Sequence, residues 1–264
     1  MDQTYDKGAA LVTGAAKRLG RAMALCLAEH GYDIAVHYSG SQEDAEHTAE
    51  ACRKFGVKAK TFKADLLSVD ETAGLVPKVT EALGPLSILI NNASIFEYDT
   101  LESATQKSWD RHIDSNLRAP LFLTQAFAAQ IPEANCDENG EPLAHGLVIN
   151  MVDQRVRKLT PEFMTYTIAK MGLWAFTQTA ARALAPRIRV NAIGPGPTMQ
   201  GARQTAEHFA AQRSGTVLER GSSPKGIVQA MNYFIDADDV TGQLLCVDGG
   251  QHLAWQTPDI QGVE

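Results

Sequence analysis

Residues Ala9-Ala-Leu-Val-Thr13 lead into Gly14-Ala-Ala-Lys-Arg-Leu-Gly20 and then into a helical pattern over 21–30, and this stretch decides the fold. A short apolar strand runs into a glycine turn and on into a helix N-terminus. Free backbone N–H groups and the helix dipole meet there, so the turn suits a phosphate. Gly14 allows the tight turn, and Gly20 lets the helix lie close on the sheet. Arg18 stands where the usual dinucleotide turn has its middle glycine. Lys17 and Arg18 bring positive charge of the kind a pyrophosphate or a 2′-phosphate needs. A plain βα turn with surface charge has the same residues, so the assignment depends on the rest of the chain.

Outward from this unit the same alternation repeats. Apolar runs at 33–38, 57–62, 86–90, 147–152, 186–193 and 242–247 read as strands, with helical patterns between them. Residues 132–145 are polar, contain Asn-Gly and Glu-Pro, and read as an exposed loop. Residues 197–218 read as a turn followed by a short helical lid over a cleft. No linker or repeat interrupts the pattern. The expectation is one α/β domain over 1–264, a Rossmann-like doubly wound parallel sheet of about seven strands with helices on both faces.

Ligands of open parallel sheets collect at the C-terminal ends of the strands, and the chemistry-bearing residues fall there. Asp153 follows the buried run 147–152. Tyr166 and Lys170 lie four apart, one turn apart on one helix face. A nearby ammonium favours the phenolate and lowers the tyrosine pKa towards the working range. The second strand ends in His37-Tyr-Ser-Gly-Ser41, without the acid that binds ribose hydroxyls in NAD enzymes, which leans towards NADP. Asp65, before Leu66, suits an adenine amino group, or a cap on the helix 69–83. In Asn91-Asn-Ala-Ser-Ile-Phe96 an amide can tie neighbouring loops, and Phe96 either stacks on a flat ring or fills core. Asn116, amid apolar helix positions, needs a buried partner. Gly194-Pro-Gly-Pro-Thr198 makes a rigid turn at the same sheet edge.

Composition narrows the function classes. The chain has 264 residues, is 44% hydrophobic and carries a formal net charge of −7. With no basic cluster, nucleic acid is not an expected partner. No apolar run reaches membrane-span length, and the N-terminal residues lack a signal-peptide pattern. Four scattered cysteines read as reduced thiols in a cytoplasmic protein. The histidines lack metal-ligand spacing, so no metal is expected.

Taken together, Thr13-Gly14 with Gly20, Asn91-Asn92-Ala93, Asn116, Tyr166 with Lys170, Pro195-Gly196 and Asp248-Gly249-Gly250 resemble the short-chain dehydrogenase/reductase family over nearly the whole chain. The resemblance implies a catalytic Asn116, Tyr166 and Lys170. The tyrosine donates a proton, the lysine binds the nicotinamide ribose and tunes the tyrosine, and the asparagine holds a relay water. It implies an NADP(H) site built from Gly14, Lys17, Arg18, Leu19, Gly20, His37, Tyr38, Ser39, Ser41, Asp65, Leu66, Asn92, Ala93, Ser94, Lys170, Pro195, Gly196 and Thr198. It also implies a homotetramer. One departure is informative. Most members carry a serine where this chain has Asp153, and a carboxylate would repel a developing alkoxide. The chain further resembles pteridine reductases through residues 13–20, His37-Tyr38 with Ser41, residues 92–96 and Asn150-Met-Val-Asp153. That likeness implies that Arg18, Ser94, Phe96, Asp153 and Tyr166 surround a pterin stacked between Phe96 and the nicotinamide. The basic residue of that subfamily after His-Tyr is replaced here by Ser39.

The leading expectation is an NADPH-dependent reductase of a pterin or dihydropterin C=N bond, with Asp153 and Tyr166 as the acid pair. The alternatives are a general carbonyl or 3-ketoacyl reductase, and a nucleotide-binding protein without catalysis.

Overall fold

The computed structural model describes residues 7–201 and 204–255. Its elements in chain order are β1 (Ala9–Val12), α1 (Arg18–Glu29), β2 (Asp33–Tyr38), α2 (Gln42–Arg53), β3 (Ala59–Lys63), α3 (Val69–Leu83), β4 (Leu86–Asn91) and α4 (Gln106–Ile113). A π-helical turn, Asp114–Arg118, joins α4 to α5 (Ala119–Gln130). There follow β5 (Asn135–Cys136), β6 (Pro142–Leu143), β7 (Gly146–Met151), α6 (Met164–Leu184), β8 (Ile188–Pro195), α7 (Ala206–Ser214), α8 (Pro224–Asp236) and β9 (Leu244–Val247).

The main sheet has seven strands in the order β3-β2-β1-β4-β7-β8-β9. Every pairing in it is parallel. Its central strands read as unbroken apolar runs because helices cover both faces. In β1, Ala10 and Val12 face a core built with Met23 and Leu27 of α1, Ala49 of α2 and Phe234 of α8. Ala9 and Leu11 face the opposite core, with Val79 of α3, Phe127 of α5 and Ala181 of α6. The chain leaves β1 in one direction for β2 and β3, and returns on its other side to β4. The crevice at that reversal, beyond the strand C-termini, is where this architecture places a ligand.

Several boundaries differ from the sequence expectation. Helix α1 begins at Arg18 rather than at 21, because the glycine turn closes directly into it. The helix carrying Asn116 is a continuous helical path from Gln106 to Gln130 interrupted by the π turn. The expected loop 132–145 contains an antiparallel pairing of Asn135–Cys136 with Pro142–Leu143. In 197–218 only α7 is helical among the described residues, and Ala202 and Arg203 lie outside them. Ser68, not Asp65, caps α3, its side chain accepting from the Glu71 N–H at 3.3 Å. No helix of the described residues is long and apolar enough to cross a membrane.

Candidate active site

The ends of β1 and β4 are tied into one unit by Thr13 and Asn92. The Thr13 hydroxyl accepts from the backbone N–H groups of Asn92 and Ala93, each at 2.9 Å. The Asn92 amide donates to the Thr13 and Gly14 carbonyls at 2.8 and 3.2 Å. Gly14 sits at φ +62°. A Cβ on Gly20 would lie 2.3 Å from the Gly14 carbonyl oxygen, so only glycine lets α1 approach the turn this closely. Helix α1 has no side-chain cap and no acid in its first turn, which leaves its N-terminal N–H groups to an anion. These features fit a dinucleotide phosphate.

A cleft of about 630 Å³ opens from this turn. It is lined by Gly14, Lys17, Arg18, Leu19, Gly20, His37, Ser39, Asp65, Leu66, Asn92, Ala93 and Ser94, all named from the sequence. Leu67, Ile95, Arg111 and Ser115 line it too and were not. Ile95 follows from continuity between Ser94 and Phe96. Arg111 and Ser115 carry no sequence signal, since their reach depends on the path of α4 and the π turn. Arg111 is held by Glu97 through Nη2 at 2.8 Å.

Other assigned residues sit elsewhere. Tyr38 packs into the core against α1 and α2 instead of lining the cleft. Ser41 precedes α2 and lies outside the lining. Pro195, Gly196 and Thr198 are beyond it at the end of β8, where the Thr198 hydroxyl meets Ser222 and the Gly196 carbonyl. His37 borders the cleft, but both ring nitrogens are committed. Nδ1 accepts from the Gly14 N–H at 3.0 Å, and Nε2 faces the Ala64 carbonyl at 3.0 Å. Burial pushes its pKa down to about 4. The neutral ring is a strut between β1, β2 and β3. Lys17 pairs with Asp44 at 2.7 Å on the surface. Arg18, in the left-handed region at φ +54°, donates to the carbonyls of Gln200 and Met199 at 2.9 and 3.1 Å. Asp65 Oδ1 accepts from the Leu67 N–H at 3.0 Å, which shapes its own turn.

Asp153, Tyr166, Lys170, Phe96 and Asn116 are not among the residues lining this cleft, and Tyr166 adjoins it through Ser94. The Tyr166 hydroxyl donates to Asp153 Oδ2 at 2.9 Å, and Asp153 Oδ1 accepts from the Arg155 N–H at 2.8 Å. Burial pushes the Asp153 carboxyl up, against the opposing pull of Arg155, Tyr166 and Lys170. Tyr166 is pushed well above its ordinary value by burial and then by the Asp153 charge. Arg155 and Ser94 pull the other way. This corrects the expectation that Lys170 lowers the phenol. Lys170 Nζ donates to the Met151 carbonyl at 2.7 Å and lies 5.7 Å from the centre of the Tyr166 ring. Burial lowers its own pKa to about 8. The carboxylate, not the ammonium, is the dominant neighbour of the phenol.

Asn116 is fully buried, and both ends of its amide bind the backbone of Ile95. Nδ2 donates at 2.8 Å and Oδ1 accepts at 3.0 Å. It thereby fixes the segment carrying Ser94 and Phe96. The Phe96 ring meets Tyr166 edge-on at 4.7 Å, and one of its faces is covered by Phe163, stacked at 4.3 Å. Phe96, Phe163 and Tyr166 thus form one aromatic cluster beside Ser94. Arg155 lies over the Phe163 ring at 5.1 Å. Among the described residues no cluster of three or more His, Cys, Asp or Glu could hold a metal ion.

With this geometry in hand, three comparisons place the chain. A model of the short chain dehydrogenase family matches residues 8–212. Among curated proteins, a 3-oxoacyl-[acyl-carrier-protein] reductase (FabG) of Staphylococcus aureus is 31% identical over 92% of this chain and 98% of its own. Among solved structures, FolM alternative dihydrofolate reductase 1 of Brucella canis, complexed with NADP, is 40% identical. It superposes with a TM-score of 0.89 over 97% of this chain and 98% of that one. The Brucella suis protein, also in complex with NADP, gives the same identity and score.

Proposed function

The chain belongs to the short-chain dehydrogenase family and is an oxidoreductase, and we propose that it reduces a C=N bond of a pterin or dihydropterin to the tetrahydro form at the expense of NADPH. The observation that carries this reading is the Tyr166–Asp153 hydrogen bond of 2.9 Å, with the carboxyl pushed up by burial. A carboxyl of raised proton affinity against a phenol suits protonation of a ring nitrogen. In its ionised form the same carboxylate opposes the build-up of negative charge that ketone reduction places on oxygen. The 40% identity to a protein named an alternative dihydrofolate reductase supports the same substrate class.

NADPH, when bound, supplies the hydride that becomes the new C–H bond. The chain supplies the proton that becomes the new N–H bond. Gly14, Arg18, Gly20 and the first turn of α1 take the pyrophosphate, with Lys17 and Ser39 at the 2′ end of the cleft. Lys170, held by Met151, faces the ribose. Asp153 and Tyr166 hold the transferable proton, and Asn116 keeps Ser94 and Phe96 in place beside them. The heterocycle lies beside Phe96, with Arg18 and Ser94 at its rim. Residues 197–201 and 204–218 serve as the lid. Water exclusion by the lid and fixed donors in the cleft supply most of the barrier lowering.

A homotetramer would cover Phe122 of α5, Ile168 and Met171 of α6 and Leu245 on the edge strand β9, all exposed in the single chain. A cytoplasmic location agrees with free cysteines and a reduced nicotinamide.

A second reading, reduction of a ketone such as a 3-oxoacyl thioester, draws on the 31% identity to the Staphylococcus aureus reductase. The test is oxidation of NADPH under anaerobic conditions with dihydropterins, dihydrofolate and a panel of ketones. Turnover of the dihydropterins above the ketones supports the first reading. Turnover of ketones alone overturns it in favour of the second.

A further inference from the structure

Helix α6 carries Tyr166 and Lys170, yet its own sequence does not cap it. The residue before its first turn is Phe163, at φ +55° and with no side-chain hydrogen bond to the helix. The missing acceptor comes from Asp99, 66 residues upstream of Thr165. Asp99 Oδ1 accepts from the Thr165 N–H at 3.1 Å, and the Asp99 carbonyl accepts from the Met164 N–H at 3.3 Å. A carboxylate at a helix N-terminus is favoured by the free N–H groups and by the dipole. It is also held there, because Oδ2 accepts from the hydroxyls of Thr165 and of Ser108, the latter at 3.0 Å.

The same Thr165 hydroxyl has a second partner. His112 of α4 places Nδ1 2.7 Å from it. His112 Nε2 accepts from the Glu97 N–H at 3.1 Å, so the ring hydrogen sits on Nδ1 and points at Thr165. The bonds then run in one sense, from the Glu97 backbone through His112 and Thr165 to Asp99. Asp99 is 2% exposed, Thr165 3% and His112 0%. Water cannot replace these bonds, and each group lost would leave a buried partner unpaired. Thr165 adjoins Tyr166 in the chain, and the His112 ring lies edge-on to Tyr166 at 5.9 Å.

We propose that Asp99, Thr165 and His112 are positioning residues that lock the first turn of α6 to the 94–99 segment, and so hold Tyr166 in register with Ser94 and Phe96. Asn116 anchors that segment at Ile95, and the Asp99 cluster anchors its other end. The inference rests on Tyr166 as the group that handles the proton, a role common to the dihydropterin and the ketone readings.

The test compares Thr165→Val, Thr165→Ser and His112→Gln, with dihydropterin and ketone substrates both assayed. NADPH affinity and melting temperature are measured alongside. Val keeps the shape and loses the hydroxyl. Thr165→Val and His112→Gln should each lower kcat by about 10-fold or more while the Kd for NADPH moves by less than about 2-fold, and Thr165→Ser should recover most of the loss. An unchanged kcat, an equal loss in Thr165→Ser, or a loss of NADPH binding in proportion to rate would overturn the proposal. His112→Gln carries the same split should the valine variant not fold. A wild-type protein active on ketones alone would overturn the dihydropterin reading and leave this test to be read on the ketone.

Discussion

Tyr166 donates its hydroxyl hydrogen to Asp153 Oδ2 at 2.9 Å, so a buried phenol and a carboxylate form one hydrogen-bonded pair. Because burial raises the Asp153 carboxyl, the pair takes up a second proton more readily than an exposed aspartate would. In the proposed reaction the protonated pair is the working form, so kcat/KM for a dihydropterin should fall as pH rises through this raised value. Asp153→Asn should abolish that limb. Tyr166→Phe should lower kcat by about 100-fold or more, the usual scale of general acid catalysis. A pH profile that is the same in wild type and Asp153→Asn would place the titrating group elsewhere.

His37 makes the phosphate turn sensitive to acid. Its pKa falls from 6.5 to about 4 on folding, so between those values the unfolded chain binds the proton and the folded one does not. Stability therefore rises with pH through that window, is complete above it, and is lost as pH falls from 6.5 towards 4. The size of the effect is roughly 3 kcal/mol, at 1.36 kcal/mol per pKa unit. Protonated Nδ1 could no longer accept from the Gly14 N–H, so NADPH affinity should weaken over the same range. Urea unfolding of wild type and His37→Gln across this window checks it. An equally steep acid loss in the variant would show that another group is responsible.

Much of this was legible in advance, and the reasons are physical. Strands 33–38 and 86–91 announce themselves as apolar runs with turn residues at their ends, because a parallel sheet buried on both faces tolerates little else. Glycines 14 and 20 are dictated by a positive φ and by a close approach. What remained hidden depends on contacts between distant parts of the chain. Nothing near Phe163 in sequence says that Asp99 caps α6. The π turn at Asp114–Arg118 leaves the helical pattern intact while it redirects Asn116. Tyr38 and Ser39 are adjacent, yet one packs into the core and the other lines the cleft. The expected Lys170 effect on Tyr166 rests on helix spacing and on the family resemblance, neither of which shows that Asp153 stands nearer.

Arg18 joins the glycine turn to the segment after β8 through the carbonyls of Met199 and Gln200. Arg18→Ala should weaken NADPH binding by about 10-fold, the scale of one charge-assisted hydrogen bond, and should also raise KM for the substrate. Arg18→Lys should restore part of the first effect and little of the second, because an ammonium cannot span two carbonyls as a guanidinium fork does. Fluorescence titration with NADPH and steady-state kinetics separate the two. Equal rescue of both by lysine would reduce Arg18 to a simple charge.

The most direct test of the central claim replaces Asp153 with the serine that ketone reductases of the family carry at this place. Asp153→Ser should cut kcat/KM for dihydropterins by about 100-fold while leaving ketone reduction unchanged or faster, with NADPH affinity within about 2-fold of wild type. Retention of dihydropterin reduction by Asp153→Ser would contradict the account, because the carboxylate would then have no part in delivering the proton.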